Sequence, residues 1–147
     1  MGWRFNENEG RTFIMIFDSS VWIDYLKGVR SDKTNLLDLK LDVYEEVDVH
    51  LCPPIFQEVL QGIRVDEKYE IIRDLLLTSQ FLNLDPYYVS EQGSDIYRKL
   101  RSKGITIRKP NDCIIAAYAI HFDLEVVHRD KDFDMIAKYT ALKIHST

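Results

Sequence analysis

The sequence predicts a single three-layer α/β/α domain on a central, mostly parallel sheet of about four to five strands. Short apolar runs of strand length alternate along the chain with segments of helical periodicity. The first such run, FIMIF at 13–17, is apolar throughout, the pattern of a strand covered on both faces. Proline stands at the head of three helical segments, at Pro53-Pro54, Pro86 and Pro110, where its missing N–H costs nothing.

Taken in order, the strand 13–17 ends on Asp18, and Ser19 and Ser20 are N-cap candidates for the helix that follows. That helix carries Val21, Trp22, Tyr25 and Leu26 and closes at Gly28. Asp32 can cap a second helix, with Leu36, Leu37, Leu41 and Tyr44 near helical spacing. VDVHL (47–51) alternates and is β-branched, so it reads as the second strand. Pro53-Pro54 opens a helix with an Ile55, Val59, Ile63 stripe. Asp66 caps the next, with Ile71, Ile72, Leu75 and Leu76 turned inward. FLNL (81–84) is the third strand. Pro86 then opens a long helix with Val89, Gly93, Ile96 and Leu100 facing in. A helix from Pro110-Asn111, a strand LEVVH (124–128), a short helix after RDKDF and a last strand ALKI (141–144) complete the chain. Residues 1–12 lack periodicity and read as a flexible extension in front of a domain over 13–147.

The 147 residues fit one domain, and 46% hydrophobic with 29% charged residues is ordinary globular composition. No apolar run approaches the ~20 residues of a membrane span, and the first residues lack the apolar core of a signal peptide. Cys52 and Cys113 make no disulfide framework or CxxC zinc pair, which points to a cytoplasmic setting. The net charge of −5 means that any nucleic acid must be met by a local basic patch or by metal ions. The four histidines show no HExxH spacing, and a GxxxxGK[ST] phosphate loop is absent.

The chemistry lies with the acids. Asp18 ends a strand, and ligands of open α/β sheets bind outside the carboxyl ends of strands. Glu58 lies on the helix after the second strand, Asp112 in the first turn of its helix, and Asp130 directly after the strand 124–128. Singly, each has an ordinary explanation as a turn, a solvated helical acid or a partner of the helix dipole. In a parallel α/β unit, strand C-termini and helix N-termini share one edge of the sheet, so all four can converge there. Four adjacent carboxylates cannot all stay ionised without cations between them. Hard oxygen donors select Mg2+ or Mn2+ over zinc, and such a site suits metal-assisted phosphoryl chemistry.

At this point the chain resembles the PIN-domain nucleases, most closely the VapC-type ribonuclease toxins of toxin–antitoxin pairs, from about Ile14 to Ile144. IFDSSVWIDYLKG is similar to the family's first motif, with Asp18 as a metal-ligand acid and Ser20 as its supporting hydroxyl. PPIFQEVLQGI resembles the second, with Glu58 as the helical glutamate. GITIRKPNDCIIAAYAI resembles the third, with Asp112 as the next ligand and Ala116, Ala117 and Ala119 behind it. VVHRDKDFDMIA resembles the fourth and supplies Asp130, or else Asp132, as the last acid. His128 departs from the family's Thr or Ser, and a histidine there could touch a phosphate.

The resemblance implies hydrolysis of RNA phosphodiester bonds that leaves a 5′-phosphate and a 3′-hydroxyl. Asp18, Glu58, Asp112 and Asp130 would hold one or two Mg2+ or Mn2+ ions, and Ser20 would orient Asp18 or a bound water. It further implies a homodimer and an antitoxin segment laid along the helices after the first strand, with a cationic residue facing the acids. Between Asp95 and Asp112 every charged residue is basic, and Arg101, Lys103, Arg108 and Lys109 form a candidate strip for RNA phosphates. A haloacid-dehalogenase-type phosphatase needs a second Asp where Ser20 stands, and a receiver domain needs paired acids that are missing. A catalytically inactive PIN domain that only binds RNA or protein is the remaining alternative.

Overall fold

The computed structural model describes residues 15–42 and 49–146. The chain runs β1 (Met15–Phe17), α1 (Ser19–Leu26), α2 (Asp32–Leu41), β2 (His50–Leu51), α3 (Pro53–Gln61), α4 (Asp66–Leu76), β3 (Gln80–Phe81) and α5 (Pro86–Ser102). It continues α6 (Pro110–His121), β4 (Glu125–Val127), α7 (Lys131–Tyr139) and β5 (Lys143–Ile144). The expected order of strands and helices holds throughout. The expectations for residues 1–12, for Phe13 and Ile14 of the first strand, for Tyr44, and for Val47 and Asp48 of the second strand lie outside the described residues.

The five strands form one sheet in the order β3-β2-β1-β4-β5, and every pairing is parallel. Met15, Ile16 and Phe17 pair with Glu125, Val126 and Val127, and the Asp18 N–H extends the ladder to Val127 O at 2.9 Å. β1 is therefore central, which explains why its run is apolar on both faces. The chain builds outward from β1 to β2 and β3, then crosses back to lay β4 on the other side. The reversal between β1 and β4 is the topological switch point where such sheets open a crevice.

Trp22, Phe17, Phe133, Ile16 and Leu124 are among the largest fully buried side chains. α6 is buried around most of its circumference, through Cys113, Ile115, Ala116, Ala117, Tyr118 and Ala119. Its small residues let α5 lie close, where Gly93 meets Ile114. A Cβ at Gly93 would stand 2.5 Å from Ile114 Cδ1.

Five local expectations are corrected. The third strand is Gln80–Phe81, not 81–84: the Leu82 N–H still reaches Leu51 O at 2.8 Å, but the ladder ends there. Phe81 is 42% exposed because β3 is a sheet edge. Ile71 is 66% exposed, since it lies ~100° around α4 from Ile72 while Leu76 faces the core. Helix caps also differ by one position. Asp18 itself, not Ser19 or Ser20, caps α1, and Ser31 caps α2 through a capping box with Thr34. Asp66 sits inside α4, whose N-cap is Val65.

Candidate active site

Asp18 does two jobs at the end of β1. Its Oδ2 accepts the Ser20 N–H at 3.1 Å and the Ser20 hydroxyl at 2.7 Å, which fixes the rotamer and starts α1. Its Oδ1 is buried without a hydrogen-bond partner, and the residue is only 4% exposed. Burial pushes its carboxyl above the usual range, and the nearby Glu58 charge adds to this against the Ser20 hydrogen bonds.

Asp112 comes from the first turn of α6, whose start is set by Pro110. It is 2% exposed, and its Oδ2 is also buried without a partner. Burial, the Asp18 charge and the Asp130 charge together push its carboxyl up to about 8. Asp130 caps α7 and accepts the Asp132 N–H at 3.0 Å. Burial raises its pKa, but the Asp132 N–H, a hydrogen bond from Asp112, and Lys109 and Arg108 outweigh it, so the net shift is downward. One carboxylate oxygen from each of Asp112, Asp130 and Asp132 lies within 4.8 Å of the others. Asp130 and Asp132 both stand in this cluster beside Asp112.

Glu58 stands apart from that triad, at the α3 side of the rim. Ser19 Oγ donates to its Oε1 at 2.7 Å and Asn111 Nδ2 to its Oε2 at 3.2 Å. Ser19, read from the sequence only as a cap candidate, and Asn111, read only as a helix start, were not assigned to the site. Their signal was adjacency, each being next to a proposed ligand acid.

The β4–α7 connection is fastened to α1. The Ser20 hydroxyl that donates to Asp18 also accepts the Arg129 N–H at 3.3 Å. The Arg129 guanidinium grips Asp24 with two bonds, at 2.6 and 3.2 Å. His128 is 7% exposed, so it is not a phosphate contact. Its Nδ1 accepts the Asp130 N–H at 3.0 Å, which leaves the proton on Nε2 for Asp134 Oδ1, also 3.0 Å away. It orients the loop that carries Asp130. His128→Ala is expected to lower activity about 10–100-fold through this support, a loss read from kcat/KM with Tm measured beside it.

Of the basic strip, Arg108 and Lys109 reach the acids: Arg108 lies 3.8 Å from Asp130 and 3.7 Å from Asp132, and Lys109 lies 3.9 Å from Asp130. Arg101 and Lys103 turn elsewhere, over the rings of Tyr97 and Tyr139. The donor set at the rim is all oxygen, and two of its buried carboxylate oxygens have no hydrogen-bond partner. That chemistry fits a hard divalent cation, because an uncompensated buried carboxylate is costly and a cation removes the cost.

The fold and site define an α/β protein whose acids cluster at the carboxyl edge of a parallel sheet. The PIN domain family matches residues 15–139. Ribonuclease VapC11 of Mycobacterium tuberculosis is 34% identical over 134 residues, covering 90% of this chain and 98% of that protein. VapC ribonuclease Mb1587 of Mycobacterium bovis is similar to the same extent. In fold, the chain is similar to the crystal structure of VapBC2 from Rickettsia felis bound to a promoter DNA fragment. The TM-score is 0.69 at 16% identity, covering 90% of this chain and 98% of that one. VapBC-1 of Haemophilus influenzae superimposes with a TM-score of 0.66 at 15% identity over 91% of this chain and 98% of that one. The chain belongs to the PIN-domain family, in the part of it that holds the VapC ribonucleases.

Proposed function

We propose that this chain is a divalent-metal-dependent endoribonuclease, the toxin of a toxin–antitoxin pair, which hydrolyses RNA phosphodiester bonds. The observation that carries this reading is the pair of unpartnered buried oxygens, Asp18 Oδ1 and Asp112 Oδ2, on the rim shared with Asp130 and Asp132. Asp18, Asp112 and Asp130 are the metal ligands, with Asp132 beside them. Glu58, held by Ser19 and Asn111, completes the set directly or through water. When bound, Mg2+ or Mn2+ supplies positive charge at the scissile phosphate and a water acidic enough to attack at neutral pH.

The chain's own residues supply the rest. Ser20 holds Asp18 in one rotamer and ties it to the Arg129 backbone, so the β1 and β4 ends of the site move as a unit. Asp18, Glu58, Asp112, Asp130 and Ser20 are thereby the reacting constellation. Arg108 and Lys109 face the RNA backbone at the rim, while Arg101 and Lys103, held over tyrosine rings, stay outside that contact. Arg108→Glu with Lys109→Glu is expected to weaken RNA binding and to reduce the slope of log Kd against log salt by about 2, measured by fluorescence anisotropy across a salt series. An unchanged slope would assign the strip to ordinary solvation.

The antitoxin segment lies along α1 and α2, where Tyr25, Val29, Thr34 and Asp38 line a recess, and the functional form is a homodimer in the cytoplasm. Residues 13–147 constitute the nuclease domain and 1–12 an appended segment. Among the described residues, no helix is long and apolar enough to cross a membrane.

The test is cleavage of a mixed tRNA and rRNA pool by protein freed of any antitoxin, in Mg2+, Mn2+ or EDTA. Cuts at few positions, ending in 5′-phosphate and 3′-hydroxyl and lost in EDTA, are expected. Metal-free protein that still cuts would overturn the metal dependence. A protein that binds RNA and never cuts would be the inactive binding module.

A further inference from the structure

We propose that Arg108 and Lys109 are built-in counter-ions of the acid cluster, which a divalent cation displaces and thereby turns toward the RNA backbone. This rests on the metal site proposed above. The two cations occupy the only connection between α5 and α6, immediately before the helix that carries Asp112. The Arg108 backbone N–H donates to Asp132 Oδ2 at 3.3 Å, so the loop is anchored by its main chain while the guanidinium stays free to move. The side chains approach the acids only to 3.7–3.9 Å, beyond hydrogen-bonding distance, and are 68% and 64% exposed. Exposed pairs of this kind hold weakly.

The contrast with the other fastenings at the rim is chemical. Ser20 holds Asp18 at 2.7 Å, Ser19 holds Glu58 at 2.7 Å, and Arg129 grips Asp24 at 2.6 Å with two bonds. Those bonds are short and fix geometry. The Arg108 and Lys109 contacts are long and neutralise charge. A divalent cation held by Asp18, Asp112 and Asp130, with Asp132 beside them, would neutralise the same charge at closer range and repel both side chains. They would then lie at the mouth of the site with no acid to answer, where a phosphodiester supplies the replacement anion. Metal and RNA binding are therefore linked, and by reciprocity each strengthens the other.

The two cations also oppose the metal before it arrives, and this gives a test that needs no catalysis. Mn2+ alone is titrated by calorimetry into the EDTA-stripped full-length chain, as wild type and as Arg108→Gln/Lys109→Gln. Arg98→Gln/Lys99→Gln, exposed positions on α5, serves as a control with the same change in net charge. The rim variant is expected to bind Mn2+ about five- to tenfold more tightly, and the control within about twofold of wild type. Circular dichroism confirms that all three are folded. Equal or weaker Mn2+ binding by the rim variant, or an equal gain in the control, overturns the exchange and leaves the metal site standing. No Mn2+ binding by any of the three overturns the metal site and the exchange together.

Discussion

Asp18→Asn is expected to lower RNA cleavage by about a thousandfold or more, while the variant melts no lower than wild type. The two halves of this result have separate causes. Asn is as good an N-cap as Asp, and its carbonyl oxygen can keep both Ser20 hydrogen bonds, so α1 starts where it did. Burial already disfavours the Asp18 carboxylate, so a neutral group of the same shape removes a cost from the metal-free fold. What is lost is the charge on the buried Oδ1, the atom with no hydrogen-bond partner. Cleavage assays and thermal melts run on one preparation check both halves. A variant retaining a tenth of the wild-type rate would remove Asp18 from the reaction.

Asp112→Asn is expected to raise the Tm of the metal-free protein by about 5 °C or more near pH 7.5, while abolishing activity. The folded Asp112 carboxyl is pushed from 3.8 to about 8 by burial and by the Asp18 and Asp130 charges. A raised acid pKa means that the unfolded chain gives up its proton first as pH rises. Below about pH 4 the group makes no difference. Between about 4 and 8 it costs the folded state progressively more stability, and above 8 the cost is constant. Wild type should therefore lose stability across that window, and the Asn variant, whose amide can still donate to Asp130, should lose less, keeping only the share that the raised Asp18 carboxyl contributes. Mg2+ or Mn2+ should restore wild type and leave the variant unmoved. Melting curves at pH 4, 6 and 8, with and without metal, decide it. A variant less stable than wild type at pH 8 would contradict this assignment.

Most of the architecture was legible because its signals are local. Met15 to Phe17 at the sheet centre, prolines at the first positions of α3, α5 and α6, and the Val89, Gly93, Ile96, Leu100 stripe each carry their meaning within a few residues. The four acids were legible as a group because parallel topology puts strand ends and helix starts on one edge. What escaped depends on neighbours distant in sequence. Ile71 looks inward by periodicity alone, yet only the packing of α4 decides which of its apolar residues meets the core. His128 reads as a contact for ligand until the Asp130 N–H and Asp134 claim its two nitrogens. Arg101 and Lys103 share a basic run with Arg108 and Lys109, but tyrosines on α5 and α7 draw them away.

The crossing of the chain from β3 back to β4 has a consequence for the protein's birth. The Ser20–Arg129 bond spans 109 residues, and the Arg129–Asp24 clamp 105. A chain emerging from the ribosome can complete β1, β2, β3 and most of its helices and still lack Asp130, Asp132 and the clamp. Synthesis at ~5–20 residues per second leaves seconds in which the growing polypeptide holds Ser20 and Asp24 but lacks the residue that clamps them. Closing the rim therefore waits on a residue more than a hundred positions downstream of the serine and aspartate it grips.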